Sequence, residues 1–241
     1  MAEEEKGINL RLQDYEKSGL YLTFEDSTRI VLTQENVEKT TEEYWMDPDK
    51  IPPDAKKAVE FQRCGFCPLK GAEDFCDALR PTLPLLTAID KYNSFDEVTA
   101  IYKGDERGLY HVSHTTMQRA LTYISYFSLM EYCQVGRKYQ KYFYGITPVM
   151  ETEQIANSLY LNMYWIHGGD EEKIDKLISQ MNKEITMTTD NQMRRLRLIC
   201  ENDAFLNAYV LTHLVTEVLF DYKDKKLKEE LDRVEKNAQR G

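Results

Sequence analysis

The chain has 241 residues, 42% of them hydrophobic and 30% charged, the balance of a protein with a sizeable core and a well-hydrated surface. Its 31 Lys and Arg against 41 Asp and Glu give a formal charge of -10. That sign disfavours long-range attraction to nucleic acid or anionic lipid, so neither is expected as a partner. The opening MAEEEKG is acidic with no apolar run behind it, and the run at 208–220 is broken by His213 and Glu217. Neither a targeting signal nor a membrane span is expected, and the reading is a cytoplasmic protein whose thiols stay reduced.

Taken in chain order, INLRLQDY, LYLTFED and RIVL at 8–32 read as strands, with Ser18-Gly19 as a turn. In LYLTFE the residues Leu20, Leu22 and Phe24 alternate with Tyr21, Thr23 and Glu25, the period of a half-buried strand. Residues 33–57 are polar and read as a connector, and AVEFQ at 58–62 reads as a strand leading to Cys64. AEDFCDAL predicts a short helix that stops before Arg80-Pro81, followed by a second helical piece in TLPLLTAIDKY. DEVTAIYKGDERGLYHVS predicts a hairpin, with VTAIY and LYHV flanking a glycine-bounded turn.

The next stretch predicts an amphipathic helix through Met117, Ala120, Leu121, Ile124, Phe127 and Met130, capped by Thr115 or Thr116 and closed near Gly136. KYFYGITPV reads as strand or extended chain, with the basic residues of GRKYQKY (136–142) on one strand face. From Glu151 the pattern turns helical: one helix ends at Gly168-Gly169, and at least two more occupy 170–240, with a break at NDAF (202–205). The expected fold class is α+β, a small antiparallel sheet with hairpins packed on a helical C-terminal half. Three regions are expected to integrate into one domain: 1–57 with strands and connector, 58–150 with the cysteines, and the helical 151–241.

Three of the five cysteines fall in FQRCGFCPLKGAEDFC, residues 61–76. Cys64 and Cys67 form a C-x2-C pair, whose spacing lets two thiolates converge on one metal ion; Cys76 follows as a third ligand. Cys133, at the end of the amphipathic helix, is the candidate fourth, with His111 and His114 as weaker ones. Structural zinc is the leading reading of these thiols and a 4Fe-4S cluster its rival; a thioredoxin-like dithiol, suggested by C-G-x-C, is opposed by Pro68 directly after Cys67 and by the lack of a βαβ context. A zinc with an open coordination position would make the protein an enzyme, but no acid or base beside it is evident. Cys200 sits in a helical pattern and reads as a small buried hydrophobe.

Arg63 to Leu69, Cys76, Phe95 to Val98, Cys133, Arg195-Leu196 and Asn207 to Val210 together resemble an uncharacterised bacterial family of unknown function. Its pattern has an R-C-x-x-C-P-L element, two further cysteines, a Y-D-x-V strand, an R-L element and an N-A-x-V element. Phe95 stands where that pattern has Tyr, and Gln134 where Pro often follows the last cysteine. The resemblance spans about residues 58–222 and implies a cluster of Cys64, Cys67, Cys76 and Cys133, without a reaction. The sequence contains no GxGxxG, P-loop, GxSxG or HExxH. His167 reads as a helix-end residue and His213 as a core histidine; the aromatics from Tyr123 to Tyr144 line either a core, a ligand pocket or a partner surface. The expected function is a metal-binding module, binding or regulatory, with a protein partner or self-association.

Overall fold

The computed structural model describes residues 15–50, 64–68, 76–85, 92–104, 109–147, 150–198 and 203–219. The strand expected at 8–15, apart from Tyr15, the strand expected at 58–62 and the thiol of Cys200 lie outside these. Strands β1 (Gly19–Phe24), β2 (Arg29–Thr33), β3 (Glu97–Lys103) and β4 (Tyr110–Thr116) form one antiparallel sheet in the order β2-β1-β3-β4. The helices are α1 (Gln34–Met46), α2 (Met117–Phe127), α3 (Thr152–Ile166), α4 (Glu171–Leu196) and α5 (204–219). The fold is α+β, an N-terminal antiparallel sheet packed against a helical C-terminal region.

Strand alternation decides which face is buried. Leu20, Leu22 and Phe24 of β1 pair with Tyr102, Ala100 and Val98 of β3, and the buried members of that face join the core with Leu121, Ile124 and the inner side of α4. Phe24 stacks on Tyr92 at 3.8 Å. The opposite face carries a small cluster of Tyr15, Tyr21 and Ile101, with the Arg29 guanidinium 4.5 Å from the centre of the Tyr15 ring.

Residues 34–46 are helix, not connector. Thr33 caps α1 by accepting the Asn36 N–H at 3.2 Å. Its inward positions, Val37 and Thr41 followed by Tyr44, keep helical spacing but include one polar residue, which blunts the amphipathic signal. The helix expected to stop at Arg80-Pro81 is instead a 3-10 segment, Asp77–Leu85, running through both prolines. With three residues per turn, Pro81 and Pro84 lie on one edge, so their missing N–H groups interrupt a single side.

The start of α2 is held by the loop before β3, not by the threonines. Met117 N–H donates to Asp96 O at 2.8 Å and Gln118 N–H to Ser94 O at 3.1 Å, and the Thr116 side chain makes no capping bond. The same loop is tied to α5, because Ser94 N–H donates to the Asp203 carboxylate at 3.3 Å and Asn207 donates to Ser94 Oγ at 2.7 Å. At Asp203 the expected break is thus a hydrogen-bonded corner.

After Phe127 the chain makes a π-helical turn, Ser128–Tyr132, in which Cys133 N–H reaches back five residues to Ser128 O at 3.1 Å. The stretch expected as strand beyond it forms 3-10 turns at Gly136–Lys138 and Gln140–Phe143. GRKYQKY therefore has no strand face. Its Lys138 and Tyr139 instead both donate to Glu184 of α4, at 3.0 and 2.9 Å, and Gln180 adds a third bond at 3.1 Å. Burial pushes the Glu184 carboxyl up, but these three hydrogen bonds outweigh it and leave it below the ordinary carboxylate range.

Substitutions at two places test this arrangement. A Cβ on Gly136 would sit 1.9 Å from the backbone oxygen of Leu129, whereas one on Gly145 meets nothing within 4 Å among the described residues. Gly136→Ala should cost about 3 kcal/mol or more by denaturant unfolding, and Gly145→Ala only about 1 kcal/mol from its positive φ. For Tyr139→Phe the expected loss is about 1–2 kcal/mol at neutral pH. A depressed carboxylate stabilises the fold above its unfolded pKa and loses that contribution as pH falls through the folded value. The difference between wild type and Tyr139→Phe should therefore shrink on acidification, which unfolding curves from pH 7 to pH 3 would follow.

Candidate functional site

The four cysteines singled out by spacing lie in one neighbourhood but have separate partners. Cys64 and Cys67 end a turn closed by Cys67 N–H to Cys64 O at 2.9 Å. The Asn191 amide of α4 donates to Cys64 Sγ at 3.3 Å, and the Gln192 amide to Cys76 Sγ at 3.4 Å. Cys133 is buried behind the π turn, where the N–H groups of Gly136 and Val135 meet its sulfur. All four are free.

The expected metal site is corrected by this geometry. Among the described residues no group of three or more His, Cys, Asp or Glu is arranged to hold a metal ion, so the zinc and 4Fe-4S readings of Cys64, Cys67, Cys76 and Cys133 both fall. The sulfurs of Cys64, Cys76 and Cys133 are each occupied by a different amide donor. Burial pushes the Cys133 thiol up to about 11, against the help of its two backbone N–H groups. Burial likewise raises Cys64, opposed by the Asn191 bond and the Arg195 charge. Thiols held in protonated form suit packing and hydrogen bonding rather than ligation. A metal-binding function, whether as module, redox protein or zinc enzyme, goes with them.

The histidines do not rescue it. β4 runs unbroken from Tyr110 to Thr116, so His111 and His114 point to opposite faces. His111 lies beside Tyr102, and His114 pairs with Glu97 at 3.2 Å. His167 closes α3 and shares a 2.8 Å hydrogen bond with the Tyr142 hydroxyl, and His213 bonds Glu217 one helical turn on at 2.9 Å.

What spacing did not foresee is the inner face of α4. Up to Ile185 it buries Ile174, Ile178, Met181 and Ile185 with Glu184 among them, and from there Thr188, Thr189, Gln192 and Arg195 before closing on Leu196. Arg195 is 1% exposed and Gln192 0%. The helical period continues while its chemistry changes from apolar to polar at the level of the thiols. A buried polar run of this kind is legible only once the period is followed past Ile185.

On the other side of the π turn a groove opens between the sheet and α2, with a volume of about 310 Å³. Its floor is apolar, with Leu20, Leu32, Val37 and Ile124, and Tyr102, Tyr123 and Phe127 form its aromatic lining. The Tyr102 and Tyr123 rings are 5.1 Å apart, Tyr123 and Phe127 stack at 6.4 Å, and Tyr132 meets Phe127 edge-on at 5.3 Å. Ser18, Gln34 and Glu131 supply polar groups at the margin. The aromatic grouping was visible in sequence; the partners that β1, β2 and α1 contribute were not.

No helix among the described residues is long and apolar enough to cross a membrane. No curated protein and no solved structure matches the chain. Residues 21–236 match the family described as Domain of unknown function (DUF6901). The chain belongs to that uncharacterised family.

Proposed function

We propose that the protein is a binding module whose groove between the sheet and α2 receives an apolar or aromatic group of a small ligand. The observation that carries the reading is the lining: Tyr102, Tyr123 and Phe127 over a floor of buried aliphatic residues, with Ser18, Gln34 and Glu131 at the margin. Its volume of about 310 Å³ falls at the lower end of ligand pockets, which combine apolar walls with a few convergent polar groups. The groove needs no metal and no nucleophile, so the reading is binding rather than catalysis.

A partner surface is favoured by a different observation. At the C-terminal end of α3, Leu161, Tyr164, Trp165 and Ile166 are exposed, Trp165 by 78%, and Tyr144 nearby is exposed by 81%. Asn162 holds that corner, donating to Tyr142 O at 2.8 Å and Tyr144 O at 2.9 Å. Large exposed aromatics on a positioned backbone are the residues from which interface anchors are made, and self-association or a protein partner is the reading they support.

Each reading has its test. Ligand-observed NMR with a panel of aromatic fragments should find binders to wild type, and Gln34→Trp, which roofs the groove from its exposed rim, should weaken them at least tenfold, about 1.4 kcal/mol. Binders unaffected by Gln34→Trp would remove the groove from the account. For the surface, sedimentation across a concentration series should show association that Trp165→Ser reduces; an unchanged profile would retire it.

A further inference from the structure

The C-x2-C turn remains unused by the groove, and its geometry supports a different chemistry. A hydrogen-bonded four-residue turn holds its end Cα atoms within about 7 Å. A disulfide spans Cα separations of roughly 4.4–6.8 Å. Cys67 N–H to Cys64 O at 2.9 Å makes 64–67 such a turn, and both thiols are free and partly exposed. We propose that Cys64 and Cys67 form a reversible intramolecular disulfide, making this turn a redox modification site.

The other two cysteines of the neighbourhood are held out of that reaction. Cys64 and Cys76 accept from Asn191 and Gln192, adjacent residues that project about 100° apart around α4, so their sulfurs are held at different positions on the helix. Cys133 is buried, with its sulfur toward the backbone of Val135 and Gly136. Among the described residues, the nearest atom to a Cβ at Gly65 inside the turn is Met187 Cε at 4.0 Å, an ordinary van der Waals contact.

The oxidant is a low-molecular-weight disulfide. One cysteine thiolate attacks it, forming a mixed disulfide and releasing one thiol; the second cysteine then attacks the protein-side sulfur, closing the S–S bond and releasing the other. Two protons and two electrons leave the cysteines, and the oxidant becomes two thiols. Closure turns Cys64 Sγ toward Cys67, and the amide of Asn191 loses that sulfur as an acceptor. The redox state of the turn is thereby passed to the polar inner face of α4. Burial raises the Cys64 thiol, so attack by that sulfur quickens as pH rises.

The test uses the full chain with excess oxidised glutathione, acid quenching, intact mass and peptide mapping with and without reductant. The expected product has lost about 2 Da, one disulfide replacing two thiols, with the bond mapped to Cys64–Cys67, and Cys133 is alkylated only after denaturation. Cys67→Ser should instead stop at one glutathionyl group on Cys64 that reductant removes. A Cys64–Cys76 bond, stable glutathione adducts on both Cys64 and Cys67 of the wild type, or no oxidation after prolonged exposure would each overturn the proposal. The wild-type result decides even if the variant does not fold.

Discussion

The hydroxyl of Ser128, at the start of the π turn, is the joint on which the middle of the molecule depends. It donates to the Ala78 carbonyl and accepts from the Tyr209 hydroxyl at 3.1 Å, so one side chain ties α2, the 3-10 segment and α5 together. The Ser128 carbonyl meanwhile takes the Cys133 amide. All of these groups are buried, where an unmade hydrogen bond costs about 1–3 kcal/mol. The extra residue of a π turn rotates the chain beyond it. Around this turn Phe127 and Glu131 line the groove, while Ser128 and Cys133 are buried. The groove and the thiol neighbourhood are two sides of one irregular turn, and irregularity of this kind concentrates at functional sites.

The elements with a clean period were legible in the sequence. Leu20, Leu22 and Phe24 alternate without exception, and the glycine-bounded turn between VTAIY and LYHV marks the β3–β4 hairpin. The run from Met117 to Phe127 and the double glycine after α3 were equally plain. Where the period carries polar residues it was lost: Thr41 on the inside of α1 hides that helix, and Gln192 and Arg195 hide the inner face of α4. Residues 136–143 misled for another reason. Their β-rich aromatics suit a strand, but Tyr139 and Tyr142 are buried by short turns whose course depends on Glu184 and His167, far along the chain.

The cysteines show the difference between proximity in sequence and convergence in space. C-x2-C supplies two sulfurs at a distance that a metal could bridge, and the same turn equally well presents two thiols to each other. Which use is open depends on what surrounds them. Here amide donors from Asn191, Gln192, Val135 and Gly136 meet three of the sulfurs separately, and burial keeps Cys64 and Cys133 protonated. Sequence spacing carried no information about the donors to Cys64 and Cys76, because both come from α4, more than a hundred residues away.

Amide hydrogen exchange at Cys133 tests the central claim most directly. If the π turn is the joint, the Cys133 amide, bonded to Ser128 O inside the core, opens only with global unfolding and exchanges as slowly as the amides of Leu121 and Ile124 in α2. Exchange at the rate of a fraying helix end would contradict the account, since the groove and the thiols would then share no fixed frame.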